Sequence, residues 1–198
     1  MTRKEQHDNL REACIQEAMT IIETSGIENL SMREVSRRLG VSHQAPYKHF
    51  ESRDHILAEI LMRSFEAFAH YLDSRQHSKN PQADLKEMGF AYLRYAAENP
   101  LQYRLMFSTP LPAPAQHPKM MEKAQYAFSI LRDAISKMTL ESNPDLNALF
   151  VWSTMHGLAS ILHMQMFTEL SVADHTLEEM IQHIMMRVDI GLINDGTL

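Results

Sequence analysis

SMREVSRRLGVSHQAPYKHFESRDHIL, residues 31–57, is the stretch on which the fold turns. Ser31 is followed three residues later by Glu34, the reciprocal pairing of a capping box, and Leu30 and Val35 stand at the two positions of a hydrophobic staple. A helix therefore begins at Met32. It stops at Gly40, which adopts the left-handed conformation a tight turn requires, and Ser42 is placed to cap the third helix, so the connection is Gly40-Val41-Ser42. That third segment carries a proline where a helix should run. If the helix begins near Gln44, Pro46 falls within its first turn, where the missing N–H has no intrahelical acceptor and costs little. Ala45, ahead of the proline, is pushed from helical angles and is expected to be the least regular position of a short helix. The spacing turns Gln44, Tyr47 and Lys48 outward and packs Pro46 and Phe50 inward.

Upstream, Leu10, Cys14, Ala18 and Ile22 lie four apart, with Ile15 and Ile21 beside them, which predicts an amphipathic helix over about 5–24, ended by Gly26. Downstream, Ser52 is placed to cap a longer helix through Ile56, Leu57, Ile60, Leu61, Phe65, Phe68 and Leu72. Asn80-Pro81, Asn99-Pro100 and Asn143-Pro144 each read as a capping Asn followed by a first-turn Pro and mark three further helix starts. TPLPAPAQHP, residues 109–118, is a loop, since its prolines exclude regular structure. Helices are then expected over 118–140, 144–169 and 176–193, the last opened by a capping box between Thr176 and Glu179. The pattern is an all-α chain of about nine helices, with a three-helix N-terminal domain over residues 1–53 and a helical domain over 54–198.

A chain of 198 residues with 44% hydrophobic content has one or two modest cores to bury. Cys14 is the single cysteine, and His and Cys never fall into metal-ligand spacing, so neither metal nor cofactor is expected and a reducing, cytoplasmic setting fits best. No apolar run is long enough to cross a bilayer, and the polar start MTRKEQHDNLRE is no signal peptide, so a soluble, unexported chain is expected. No nucleophile-elbow pattern frames a serine, and no enzyme is expected. His156 and His163 lie a heptad apart, a spacing that suits interface histidines better than a metal site. The formal net charge is −6, which argues against wrapping a polyanion over the whole surface. Its distribution matters more: residues 1–53 carry eight basic and eight acidic side chains, and the remainder eleven against seventeen. Within 31–53, Arg33, Arg37, Arg38, Lys48 and Arg53 face only Glu34 and Glu51, a local +3 in one short stretch.

Three N-terminal helices whose second and third are joined by a three-residue turn make a helix-turn-helix, which seats its last helix in the DNA major groove. There Gln44 is placed to read an adenine edge and Lys48 a guanine or a phosphate. SMREVSRRLGVSHQAPYKHFESRDHIL resembles the N-terminal signature of the tetracycline-repressor (TetR) family of transcriptional regulators, over residues 10–62. The resemblance implies phosphate contacts from Ser31, Tyr47, His49 and Arg53. Arg33, Ser42 and His43 complete the candidate DNA-binding set with Gln44 and Lys48. The chain departs from the family pattern at Ser36, where a close-packed Ala is usual, at Pro46, where an aliphatic or aromatic residue is common, and at Arg53, where Lys is more frequent.

Further on, WSTMHG (152–157) resembles the WxxxHG signature of one regulator subgroup, as does the preceding AYLRYAAENPLQYRLMF (91–107). The resemblance implies a dimeric bundle built from the last two helices and a small-molecule effector held among the middle ones. Candidate ligand-binding side chains are Phe65, Phe68, Phe90, Tyr103, Phe107, Tyr126, Trp152, Met155 and His156, of which three or four are expected to line a pocket and the rest to be core. The helix at 144–169 carries Leu146, Leu149, Phe150, Trp152, Met155, Leu158, Ile161, Leu162 and Met166 around most of its circumference. A second covered face is the simplest account, giving a homodimer through the helices near 144–169 and 176–193. The reading is a ligand-responsive repressor of a near-palindromic double-stranded operator. Its rivals are a constitutive regulator whose C-terminal domain only dimerises, and a helical module that does not use DNA.

Overall fold

The computed structural model describes residues 3–107, 110–138, 143–162 and 175–194. Among them the chain is all-helical: α1 (Arg3–Ser25), α2 (Met32–Leu39), α3 (Arg53–Asp73), α4 (Pro81–Glu98), α5 (Pro100–Phe107), α6 (Pro118–Ile135), α7 (Pro144–Leu162) and α8 (Leu177–Asn194). Short 3₁₀ turns lie at Ile27–Asn29, Pro46–Lys48 and Pro114–Gln116. The helix count among the described residues therefore falls one short of expectation, because the segment after the tight turn is a 3₁₀ turn and not an α-helix. None of these helices is long and apolar enough to cross a membrane.

Capping sets most boundaries. Ser31 Oγ accepts the Glu34 N–H at 3.1 Å, and Gly40 closes α2 at φ 65°, a conformation that strains any residue with a Cβ. All three Asn-Pro pairs open helices with proline in the first position. At Asn80 the side chain caps the Ala83 N–H, and at Asn143 it takes the Asp145 N–H. Asn99 differs: its amide turns back to donate to the Tyr95 carbonyl, ending α4, while its own carbonyl accepts from Tyr103 in α5. The second capping box forms in both directions, Glu179 N–H to Thr176 Oγ1 at 3.2 Å and Thr176 N–H to Glu179 Oε2 at 2.8 Å. The proline-rich loop is less irregular than expected, since Pro114–Gln116 makes a 3₁₀ turn inside it; residues 108–109 lie outside the described residues.

The chain divides into two compact units, which do not coincide with a boundary at 53/54. The first joins residues 1–65 to 104–124, and the second joins 66–103 to 125–198. The long helix α3 runs from one into the other, so no linker marks the division. In the first unit α1, α2 and the 3₁₀ turn at 46–48 pack around Cys14, Ile15, Ala18, Ile21, Ile22, Leu30 and Val35, with Phe50, Ile56, Ile60 and Leu61 buried alongside. An ion network ties α1 to α3: Arg63 grips both Glu12 carboxylate oxygens, at 2.8 and 2.9 Å, and Glu59 at 3.0 Å, while Arg11 holds Glu59 at 2.8 Å. In the second unit α4 lies against α7 and α8, burying Leu85, Met88, Tyr92, Val151, Met155, Ile181 and Met185. Gly89 allows the closest approach, since a Cβ there would stand 3.1 Å from Met185 Sδ.

Candidate functional site

The face the sequence turned outward is outward. Gln44, Tyr47 and Lys48 are exposed with Ser42 and His43, while Pro46 and Phe50 are buried against the first unit's core. The backbone that achieves this is not the one expected. Ala45 sits at φ −64°, ψ −45°, squarely helical, and successive bonds from Ala45 N–H to Ser42 O, Lys48 N–H to Ala45 O and His49 N–H to Pro46 O span three residues each. The preference of a pre-proline residue for extended angles loses here to tertiary packing, because only a tight coil carries both Pro46 and Phe50 into the core. The Tyr47 ring lies beside His43, centroids 5.7 Å apart, so the exposed phenol is steadied by its neighbour.

Charge on this face is less available than the count suggests. Glu34 accepts from Arg37 Nη2 at 2.6 Å and Arg37 Nε at 2.8 Å, and from Arg38 Nε at 2.9 Å. Hydrogen bonds from Arg37, then Arg38, hold its carboxyl down at about 2. Arg38 also reaches Glu17. Arg53 is half-buried and gives one guanidinium nitrogen to the Ile27 carbonyl at 2.7 Å, fastening the start of α3 to the turn after α1. Arg33 and Lys48 remain exposed and form no ion pair among the described residues.

In the second unit four side chains of α4, α5 and α7 meet at one point. Tyr92 and Tyr103 hydroxyls lie 3.0 Å apart, His156 Nδ1 is 2.7 Å from the Tyr103 hydroxyl and 3.4 Å from that of Tyr92, and Trp152 Nε1 donates to Tyr92 at 3.3 Å. Burial pushes the Tyr92 phenol up to about 12 and Tyr103 further up, and burial holds His156 below the ordinary histidine range. At neutral pH this is a set of uncharged donors and acceptors walled by Phe68, which packs edge-on to Tyr92 at 5.4 Å, and by Phe128 beside Trp152. Such a set suits hydrogen bonding to a polar group. Among the described residues no group of three His, Cys, Asp or Glu side chains is arranged to hold a metal ion.

Two family models match the chain: the tetR family of bacterial regulatory proteins over residues 15–60, and the tetracyclin repressor-like C-terminal domain over residues 85–184. The chain belongs to the tetR family. This is a family of DNA-binding transcriptional regulators and not of enzymes. An HTH-type transcriptional regulator of Mycobacterium tuberculosis is 27% identical over 90 residues, a stretch that covers 44% of this chain and 38% of that protein. Among solved structures, a protein of unknown function from Rhodococcus sp. RHA1 superposes with a TM-score of 0.75 at 21% identity, covering 93% of this chain and 95% of that one. A tetR-family regulatory protein from Rhodococcus RHA1 superposes with a TM-score of 0.71 at 12% identity, covering 92% and 96%. These two show that the fold is shared.

In this tetR-family chain the nine candidate DNA-binding side chains all fall in the first unit, seven of them exposed, with His49 and Arg53 half-buried. The candidate ligand-binding side chains do not stay together. Tyr103, Trp152 and His156 join the polar cluster, with Phe68 on its wall, and Met155 is buried in the same unit. Phe65 and Phe107 stack edge-on at 6.1 Å in the other unit. Phe90 is half-buried beneath the Lys86 ammonium, and Tyr126 is 53% exposed on α6. Sequence reading missed Tyr92. The available signal was two tyrosines, Tyr92 and Tyr95, in an otherwise apolar helical run, since a buried phenol needs a partner. His163 and Met166 lie outside the described residues.

Proposed function

We propose that the chain is one protomer of a homodimeric repressor that binds a near-palindromic operator and is released by a small, largely apolar effector. The observation that carries the DNA half is the exposed row Gln44, Tyr47 and Lys48 on a turn pinned from behind by Pro46 and Phe50. Gln44 reads base edges; Lys48 and Arg33 supply charge; Ser31, Ser42, His43, Tyr47 and His49 position the surface through phosphate contacts, with Arg53 holding its base. Two such surfaces about 34 Å apart meet successive turns of one DNA face.

Dimerisation is supported by an apolar patch. Leu146, Leu149, Phe150 and Ile161 stand exposed on α7, and Met186 and Ile190 on α8, with Leu146 as much as 65% accessible. The two strips adjoin, because a Cβ at Gly191 would lie 3.4 Å from the Phe150 ring. A chain that leaves this much continuous apolar surface uncovered needs a partner for it, and a second copy presents the same strip. Phe150→Glu is expected to give a monomer by sedimentation velocity that no longer protects the operator. A dimer that persists in this variant would place the interface elsewhere.

The effector half rests on the Tyr92–Tyr103–Trp152–His156 cluster, which offers hydrogen bonds inside an aromatic wall and suits an apolar body bearing one polar group. The same observation favours one rival, a constitutive regulator, because these groups already satisfy one another. The deciding experiment is a gel shift with competitor DNA, tiled across the region flanking the chain's own gene at two salt concentrations, and then a screen of ligands against the protected site. Equal operator affinity with and without every ligand that binds would leave the constitutive reading. No protected site on any tile would argue against DNA recognition at a neighbouring operator.

A further inference from the structure

Within the first compact unit, behind the exposed turn, lies a cleft of about 340 Å³, within the size range of small-molecule sites. Arg11 of α1, Phe50, His55 and Glu59 of α3, and His117 and Lys119 at the start of α6 all reach its wall. His117 is only 8% exposed, and its Nε2 is buried with no hydrogen-bond partner among the described residues. A buried ring nitrogen left unpaired is uncommon and calls for an explanation. The His55 ring packs edge-on against His117, centroids 4.8 Å apart, but His55 Nδ1 is engaged with the Ser52 hydroxyl at 3.0 Å and does not serve His117.

Charge narrows the occupant. Glu59 is the one acid on the wall, and it is already neutralised by Arg11 at 2.8 Å and by Arg63 at 3.0 Å. Lys119 is exposed and makes no ion pair among the described residues, so the cleft carries a spare positive charge. Met62 and Met120 join Phe50 on the apolar part of the wall, and Gln116 and His49 add polar groups to it. We propose that this cleft binds a small organic monoanion, a carboxylate on a flat apolar body, with His117 Nε2 as its hydrogen-bond donor and Lys119 as its counter-charge.

The site is separate from the polar cluster of the second unit and does not depend on the effector reading. Its consequence for the exposed turn is direct, because Phe50, which lines the cleft, also anchors the turn that bears Tyr47 and Lys48. Occupancy stiffens that anchor. Burial, then His55, holds the His117 imidazole below the ordinary histidine range, with Asp54 pulling the other way. The ring is therefore neutral near pH 7 and carries one N–H, which donation to the ligand requires on Nε2.

The test uses the full chain and benzoate, with benzamide as its neutral counterpart and acetate as the same charge without the body. Binding is monitored through the His117 ring signals in a two-dimensional NMR titration. Benzoate is expected to shift them saturably, with benzamide and acetate at least about tenfold weaker, the discrimination expected of a site that needs both charge and apolar contact. His117→Phe should abolish the effect as read on neighbouring Met120. Because that variant touches a buried position, Lys119→Ala serves as the exposed control: it should keep the melting temperature and weaken benzoate about fivefold, the upper range for one exposed charge. No saturable shift, equal response to benzamide, or unchanged affinity in Lys119→Ala would each overturn the proposal. No DNA enters the readout, so the result stands apart from whether an operator is found.

Discussion

Arg33 and Arg37 lie one turn apart on the same helix, yet the structure gives them different work. Arg37 is locked to Glu34 by two bonds, and Arg38 shares that carboxylate and reaches Glu17, so both arginines serve α2 and its neighbour first. Arg33 and Lys48 form no such ion pair among the described residues. Replacing either by Ala is expected to weaken DNA binding nearly uniformly across sequences and to flatten the salt dependence by about one unit each, as measured by anisotropy over a salt series. Arg37→Ala should lower the salt slope less, because a charge already paired to Glu34 releases fewer counterions; equal slopes for the three variants would refute the distinction. Gln44→Ala should instead relax preference at one base step, at a cost of about 1–3 kcal/mol on the preferred site only. Ser36, the departure from the family's usual Ala, is buried and donates its hydroxyl to the Met32 carbonyl at 2.8 Å, so its polarity is satisfied inside its own helix.

The turn between α2 and α3 shows what the sequence displayed and what it concealed. The Ser31 cap and Gly40 announced α2 to the residue, since each is a local interaction spelled out within four positions, while the Glu34 carboxylate expected to complete the capping box serves Arg37 and Arg38. The segment at 46–48 was different. Which side chains face inward was legible from four-residue spacing, and the Phe50 N–H does bond the Pro46 carbonyl at 3.0 Å, a helical turn's reach. The coil itself was not, since three-residue and four-residue hydrogen bonding differ by less than the packing energy of a buried ring. Ser31→Ala should cost about 1 kcal/mol through the lost cap, read as a lower urea midpoint. Gly40→Ala should cost about 1–2 kcal/mol through backbone strain alone, because nothing lies within 4 Å of where the new Cβ would stand. A neutral Gly40→Ala would show that the left-handed turn is dispensable.

All-helical architecture was readable from the start, because apolar spacing near 3.6 and proline at helix starts recur along the chain. The division into units was not, since residues 104–124 join the N-terminal core across a long gap in sequence, a pairing no local pattern encodes. The same limit hid Tyr92, whose partners come from α5 and α7. Each unit holds a histidine below its ordinary range, buried His117 in the first and half-buried His156 in the second, and desolvation leads in both. The unfolded chain takes up these protons near the ordinary value of 6.5, before the folded chain does. Stability is thus full above about pH 6.5 and falls as pH drops towards the lowered folded values. Glu12, Glu34 and Asp84 are held below their ordinary carboxylate values, so their stabilising contributions are lost only at more acidic pH. The urea midpoint should therefore be lower at about pH 5.5 than at about pH 7.5. His117→Gln and His156→Gln should each shrink that difference, and the double variant should shrink it by the sum, since the two rings sit in separate cores. A drop of the same size in the double variant would assign the pH dependence to other groups and remove burial of these two rings as its cause.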